Sequence, residues 1–313
     1  MATSLLKTPL MLVFLTLTVS LTIMLQGVLP ALLAEFSTPI QSYCISLSPQ
    51  STHAEVYRAL VCGDRLTSPI LRESLRQTSL LHLIVASGTH LIVIEALLRR
   101  ALGKRRWSAA SVGICLGLYA LMTGLGPPFV RVLLAWLLKA LNDRFRLCWS
   151  RTQILMMSGT FSLLVCSTRW DLLSLSLSWI AGFAVELAGD RHQKDPLKFH
   201  ALVYAFMIPA LLPLTVPHPV SIVWNLLLGP VLTLALFPLA GLAIFVPTVM
   251  LFPIDFVFSL AFALIDSAAG LTPQGLNKSS LNPGWPWIYL AGLMLTSFWF
   301  ESRTLKRELE ETT

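Results

Sequence analysis

Apolar residues run along the chain in long blocks broken by short polar interruptions. The blocks fall at about 9–31, 79–98, 107–124, 127–141, 152–168, 172–189, 199–216, 220–244, 246–269 and 285–300. Blocks that are apolar on every face fit neither a half-buried strand nor the single apolar stripe of a soluble helix. About 20 apolar residues is the length that lets an α-helix cross a bilayer. The pattern therefore predicts an all-α polytopic integral membrane protein with about ten transmembrane or re-entrant helices. The block at 127–141 is short for a full crossing and opens on Pro127-Pro128, which marks it as a broken or re-entrant helix. Such backbone is tolerated only where protein or water covers it.

One long polar stretch, 36–78, separates the first block from the second. Within it, Val56 to Leu66 reads as a strand or a short helix. Ser68-Pro69 is a helix start, with a capping hydroxyl and proline at the first helical position. Apolar residues at 70, 71 and 75 alternate with Arg72 and Arg76, which predicts a basic amphipathic helix on the membrane surface. The expected organisation is an N-terminal transmembrane helix (1–35), a short extracytoplasmic segment (36–78), a polytopic domain (79–300) and a charged tail (301–313). The first block exceeds the 7–15 residues of a signal-peptide core and no Ala-x-Ala site follows, so it is read as a retained span.

Composition agrees. Hydrophobic residues make up 55% of the 313, charged residues 12%, and the mean hydropathy is +0.72. A soluble domain carries about 25% charge. The net charge of +7 need not signal nucleic acid, because the excess falls in short loops. Arg99-Arg100 with Lys104-Arg105-Arg106, then Arg144, Arg146 and Arg151, then Arg191, Lys194 and Lys198, then Arg303, Lys306 and Arg307 all fall on one side of the expected spans. The positive-inside rule makes that side the cytoplasm, with both termini there and 36–78 outside.

Among five cysteines, Cys44 and Cys62 share the polar stretch. In an oxidising compartment they are a disulfide candidate; two free thiols is the other reading. Polar groups inside apolar blocks are the functional candidates, since a charge at a helix centre costs about 2.5–3.5 kcal/mol on insertion scales. His82, Ser87, Gly88 and His90 lie in one block. They read as a polar seam lining a wet path, or as small-residue helix packing with the histidines satisfied by carbonyls. Arg131 follows Gly126-Pro127-Pro128 near a helix N-terminus, where its charge and the helix dipole suit an anion such as phosphate. An ion pair with Glu95 or Glu186, or snorkelling, is the alternative. Asn225 heads an apolar run and suits an interhelical hydrogen bond. The His82 to His90 spacing of eight does not match the usual helical metal pair, and no phosphate-binding loop, nucleophile elbow or metal-hydrolase motif is present. Neither an enzyme activity nor a metal or cofactor is expected.

These residues resemble a known family. Ala59 to Arg65, ending Gly63-Asp64-Arg65, then the basic helix, then His82-Leu83-Ile84-Val85-Ala86-Ser87-Gly88-Thr89-His90 are similar to the core signature of the ComEC competence family, His-Leu-Leu-Ala-Ile-Ser-Gly-Leu-His. The family's Gly-x-Ser-Pro-Ser-x-x-Arg resembles Gly124 to Arg131, with Gly126 and Pro128 in place of the serines. Its Ser-Pro, Asn-Leu and later proline resemble His218-Pro219, Asn225-Leu226 and Pro230. Where the family has Pro-Gly-Phe-Gln-Leu-Ser-Phe, this chain has Leu173 to Trp179 without the glutamine.

The resemblance covers about residues 55–245. It implies a channel in the bacterial inner membrane that admits single-stranded DNA during natural transformation, in a short form lacking the family's soluble domains. The DNA receptor, nuclease and cytoplasmic motor would then be other competence proteins. On that reading Arg65, Arg72, Arg76 and Arg131 are DNA-contact candidates. Two other classes fit the residues: a proton-coupled transporter of a small solute, and a membrane enzyme using intramembrane histidines.

Overall fold

The computed structural model describes residues 28–84, 88–103, 108–166, 172–192, 195–212, 218–245, 251–272 and 284–297, and these form helices and connecting turns with no strand among them. A nine-residue helix, α2 (Ala54–Cys62), lies at the centre. Val56, Tyr57, Ala59, Leu60, Val61 and Cys62 are each no more than 3% exposed. So short a helix is marginal by itself and is stable here through packing. It lies against α1 (Val28–Ser46), α4 (Leu81–Ile84) and α12 (Phe237–Phe245). Six of the nine α2 side chains are buried, so this part of the 36–78 stretch enters the core. The helix α1 likewise runs past residue 35 to Ser46.

Two devices fix α2. Cys44 and Cys62 form a disulfide, with Cα atoms 5.8 Å apart, that ties α2 to α1. Closing a loop of this size stabilises a fold by about 3 kcal/mol on the chain-entropy account. Gly63 ends the helix at φ +66 and donates to the Arg58 carbonyl. A Cβ at Gly63 would stand 2.7 Å from the Thr123 carbonyl oxygen, so the turn needs glycine twice over, for its backbone conformation and for the approach. The Glu55 carboxylate then accepts from the Thr67 and Ser68 amides and sets up α3 (Pro69–Gln77). Ser68 caps α3 by accepting from the Leu71 amide; Leu75 is buried, while Arg72, Glu73 and Arg76 face out, as the sequence predicts.

Within the expected helix at 79–98 the structure describes α4 and α5 (Gly88–Leu102), and residues 85–87 lie outside the described residues. Next come α6 (Ser108–Met122) and α7 (Pro127–Phe145). With 19 residues α7 runs four past the expected end and is about 28 Å long. Gly88 abuts Pro128 and Val132, and Glu95 accepts from Trp136, so α5 and α7 run side by side in the same direction. Their C-terminal ends, carrying Arg99, Arg100, Arg144 and Arg146, therefore share one end of the bundle.

A second core joins α8 (Arg151–Cys166), α9 (Leu172–His192), α10 (Pro196–Leu211) and α14 (285–297) through Leu155, Trp179, Ile180, Phe183, Ala210 and Leu290. The helix α11 (Ser221–Pro230) passes through a π-helical turn, Val231–Leu236, directly into α12. Pro230 has no N–H to keep the α ladder in register there. Two of the described helices are long and apolar enough to cross a membrane, Ser221–Ile244 and α13 (Leu251–Leu271). On α13, Ile254, Phe258, Phe262 and Ile265 face the core, and Phe252, Phe256, Leu260 and Leu264 face outward. An outward face this apolar suits lipid rather than water.

Candidate functional site

The start of α5 is where the chain's motifs meet. A Cβ at Gly88 would lie 2.6 Å from a Val132 methyl and 3.3 Å from the Pro128 carbonyl oxygen, so the glycine of one motif presses on the helix start that follows the Pro-Pro of another. Two residues on, His90 is 0% exposed and stacks on Phe237, with centroids 4.2 Å apart and planes 9° apart. Phe237 is the first residue after the π turn, which sets the rotation that brings its ring here. Tyr119 of α6 stands edge-on to Phe129 and Phe237, and its hydroxyl donates to the Leu60 carbonyl at 3.2 Å. Leu83 meets Gly229. Thus α2, α4, α5, α6, α7 and α12 converge.

Neither ring nitrogen of His90 makes a hydrogen bond of ordinary geometry among the described residues; the Leu83 backbone is the polar group that acts on it. An unpaired buried polar group costs about 1–3 kcal/mol. His82 stands apart on α4, with accessible surface despite the atoms crowded round it. The structure thus leaves one histidine covered and the other with accessible surface. Ser87 lies outside the described residues.

Arg131 is in the second turn of α7 and partly buried. Its Nε donates to Ser178 Oγ at 2.9 Å, and its guanidinium lies over Gly182, where a Cβ would be 2.8 Å from Nη1. Ser178 is the serine that matches the family's Phe-Gln-Leu-Ser segment. The two carboxylates considered as partners are engaged elsewhere. Glu95 accepts from Arg99 and Trp136, and Glu186 is 4.0 Å from Arg151. Among the described residues no carboxylate pairs with Arg131.

The remaining candidates are dispersed. Asn225 donates to the Ser221 carbonyl in its own helix at 2.9 Å rather than across helices. Arg65 and Arg72 are exposed. Arg76 makes two hydrogen bonds to Glu73, at 2.9 and 2.8 Å. That bonding holds the Glu73 carboxyl below its usual range and raises Arg76. An exposed pair of this kind contributes about 0.3–0.5 kcal/mol.

Sequence reasoning missed a second polar cluster. Tyr57 donates to Asp255, and His53 Nε2 shares a hydrogen bond of 2.9 Å with Ser259 Oγ. The His53 ring stacks on Phe262 at 5.8 Å and 19°. Burial lowers His53 below its ordinary value, with Asp255 pulling the other way. Burial raises Tyr57, and the bond to Asp255 adds to it. Each half has i, i+4 spacing, His53 with Tyr57 and Asp255 with Ser259, and Asp255 is an acid inside an apolar block, but neither sign pairs the two halves. No group of three or more His, Cys, Asp or Glu is placed to hold a metal among the described residues.

A family model described as Competence protein matches residues 60–303. No curated protein and no solved structure matches the chain. The matched span is well over half of the chain and contains His90, Arg131, Ser178, Asn225 and Phe237, so the residues that meet at the start of α5 and α7 lie within it. On that match, the chain belongs to the competence protein family.

Proposed function

We propose that the protein is a polytopic channel of the ComEC type in the bacterial inner membrane that passes single-stranded DNA into the cytoplasm. The observation that carries the reading is Arg131: a cation held inside an apolar bundle by a neutral serine, close to a helix N-terminus, with no carboxylate among the described residues. A charge so placed is ready to meet a mobile anion, and phosphates along a strand are such anions.

Three further features support it. Outward apolar stripes such as that of α13 suit a lipid bilayer. The arginines that end α5 and α7 gather at one end, which is the cytoplasmic end by the positive-inside rule, and this favours cytoplasmic termini. Gly63, and with it Arg65, sits against the α6–α7 turn at the opposite end. Arg131 and Arg144 follow one another along α7, and Arg65 is two residues beyond Gly63. The strand's receptor, its nuclease and the motor that draws it in are other competence proteins on this reading, and no catalytic step is assigned to this chain.

The test is DNA entry in the native cell, with labelled DNA followed to the cytoplasm and surface binding scored separately. Deletion should leave surface DNA bound and block entry. Restoration with Arg131→Ala should fail at normal protein level, and Arg131→Lys should restore entry in part. Entry unchanged by deletion would overturn the channel. The Tyr57–Asp255 bond, an intramembrane acid with a partner, favours a second reading as a proton-coupled small-solute transporter. Saturable, proton-dependent solute uptake lost on deletion would establish that one instead.

A further inference from the structure

We propose that the turn between α7 and α8 is a landing platform for single-stranded DNA, one aromatic ring taking a base and the surrounding arginines taking phosphates. The inference rests on the channel reading and names where the strand is held as it leaves.

The turn is tightly built. Asn142 accepts from the Arg146 and Leu147 amides through its backbone carbonyl and from the Trp149 amide, at 2.8 Å, through its side chain. Ser150 and Gln153 then close a reciprocal capping box at the start of α8: Gln153 Oε1 accepts from the Ser150 amide, and Ser150 Oγ from the Gln153 amide. On this frame Phe145 is 64% exposed, with the Arg144 guanidinium 6.0 Å from its ring centroid. Arg146 is exposed, and the Arg151 side chain is 76% exposed, with Glu186 4.0 Å away. Asp143 is the acid nearest in the chain, and Arg99 and Arg100 end the parallel α5 beside it. The balance is cationic.

One feature separates this turn from a generic basic loop. Arg146 is the helix C-cap at φ +51, a left-handed conformation that costs an ordinary residue free energy and costs glycine almost none. The chain has arginine there, at the expense of stability. An exposed ring flanked by arginines is the arrangement that binds single strands without reading sequence, the ring stacking on any base. Anionic lipid headgroups would also meet the charges. Two things favour the strand: the fixed turn presents the ring rather than folding it away, and the turn caps the same helix that carries Arg131.

The experiment uses the full chain in phosphatidylcholine nanodiscs, with a short fluorescent oligothymidylate titrated at several salt concentrations. Arg146→Gly should raise Tm yet weaken oligonucleotide binding several-fold, and the slope of log affinity against log salt should fall by about 0.7, one phosphate contact's worth. Phe145→Ala should weaken binding about fivefold or more with the slope unchanged. Wild-type affinity in both variants overturns the proposal. So does a loss seen only for phosphatidylglycerol nanodiscs, which assigns the turn to lipid. If both variants bind less while deletion of the chain leaves DNA entry intact, the platform stands and the channel fails. If deletion blocks entry and both variants bind normally, the channel stands and the platform fails.

Discussion

His90 and His53 stand at two ends of the α2 environment and are held in opposite ways. His90 lies in a motif that the sequence displays openly, is fully covered, stacks on Phe237 and has both ring nitrogens without a hydrogen bond of ordinary geometry. His53 belongs to no recognisable motif, lies before the start of the family match, and is bonded to Ser259 and stacked on Phe262. A fold that bonds a half-buried imidazole and leaves a fully covered one without a hydrogen bond of ordinary geometry is using them differently. The His53 cluster holds α2 to α13. The His90 junction keeps a polar group in a place where stability alone would select a hydrocarbon. The contrast supports the proposal that the first serves structure and the second function.

The link between the two regions should be the most sensitive point. Gly63 anchors the C-terminal end of α2 against the Thr123 backbone, so a change there disturbs both. Gly63→Ala adds a left-handed penalty and an overlap with a carbonyl oxygen that cannot swing aside. A loss of about 2–4 kcal/mol is expected from those two effects together. Thermal unfolding in detergent reads it directly, and a wild-type Tm would mean that the α6–α7 turn yields freely.

The His53 side is tested by Tyr57→Phe. The substitution keeps the ring against Phe258 and removes the donor to Asp255. Leaving that carboxylate without its partner should cost about 1–3 kcal/mol. DNA entry should fall no further than the loss of folded protein explains. A large defect in entry at normal Tm would remove the distinction between structural and functional clusters, and would favour the proton-coupled reading.

What the sequence disclosed follows the same line. Helices are local, so the apolar blocks located α7, Ser221–Ile244 and α13 to within a few residues, and Ser68-Pro69 marked the start of α3. Motif spacing singled out Gly88, His90 and Arg131, because unusual residues in apolar runs are visible without a fold. The burial of α2 was not visible. Its charged neighbours Glu55, Arg58, Asp64 and Arg65 give the stretch a polar average, although the residues between them fill the core. The partner of Arg131 was not visible either, since Ser178 is 47 residues away in a segment where the family's pattern is least kept. The bond from His53 to Ser259 spans 206 residues, and no local pattern anticipates such a pairing.

His90→Leu probes the other side of the contrast. The change loses the ring stack on Phe237, worth about 0.5–1.5 kcal/mol, and removes a buried polar ring without a hydrogen bond of ordinary geometry, worth about 1–3 kcal/mol. The expected result is an equal or higher Tm with DNA entry reduced at least tenfold. A Tm lowered by several degrees would show that the imidazole has a partner, and the two histidines would then be alike.

The smallest effect concerns pH. Burial lowers the His53 pKa in the folded state below its ordinary value of 6.5, so the unfolded chain binds more protons than the folded one in the window below that value. Stability therefore falls as the pH drops below about 6.5 and stops falling once the folded-state pKa is passed. Asp255 opposes the shift and keeps it modest. His53→Gln retains a donor for Ser259 and cannot titrate, so its Tm should decline less than the wild type's between pH 7 and pH 5. Other acids and histidines titrate in both proteins and cancel in the difference. Identical slopes would mean that His53 is solvated in the folded state, and the cluster that holds α2 to α13 would be looser than its geometry implies.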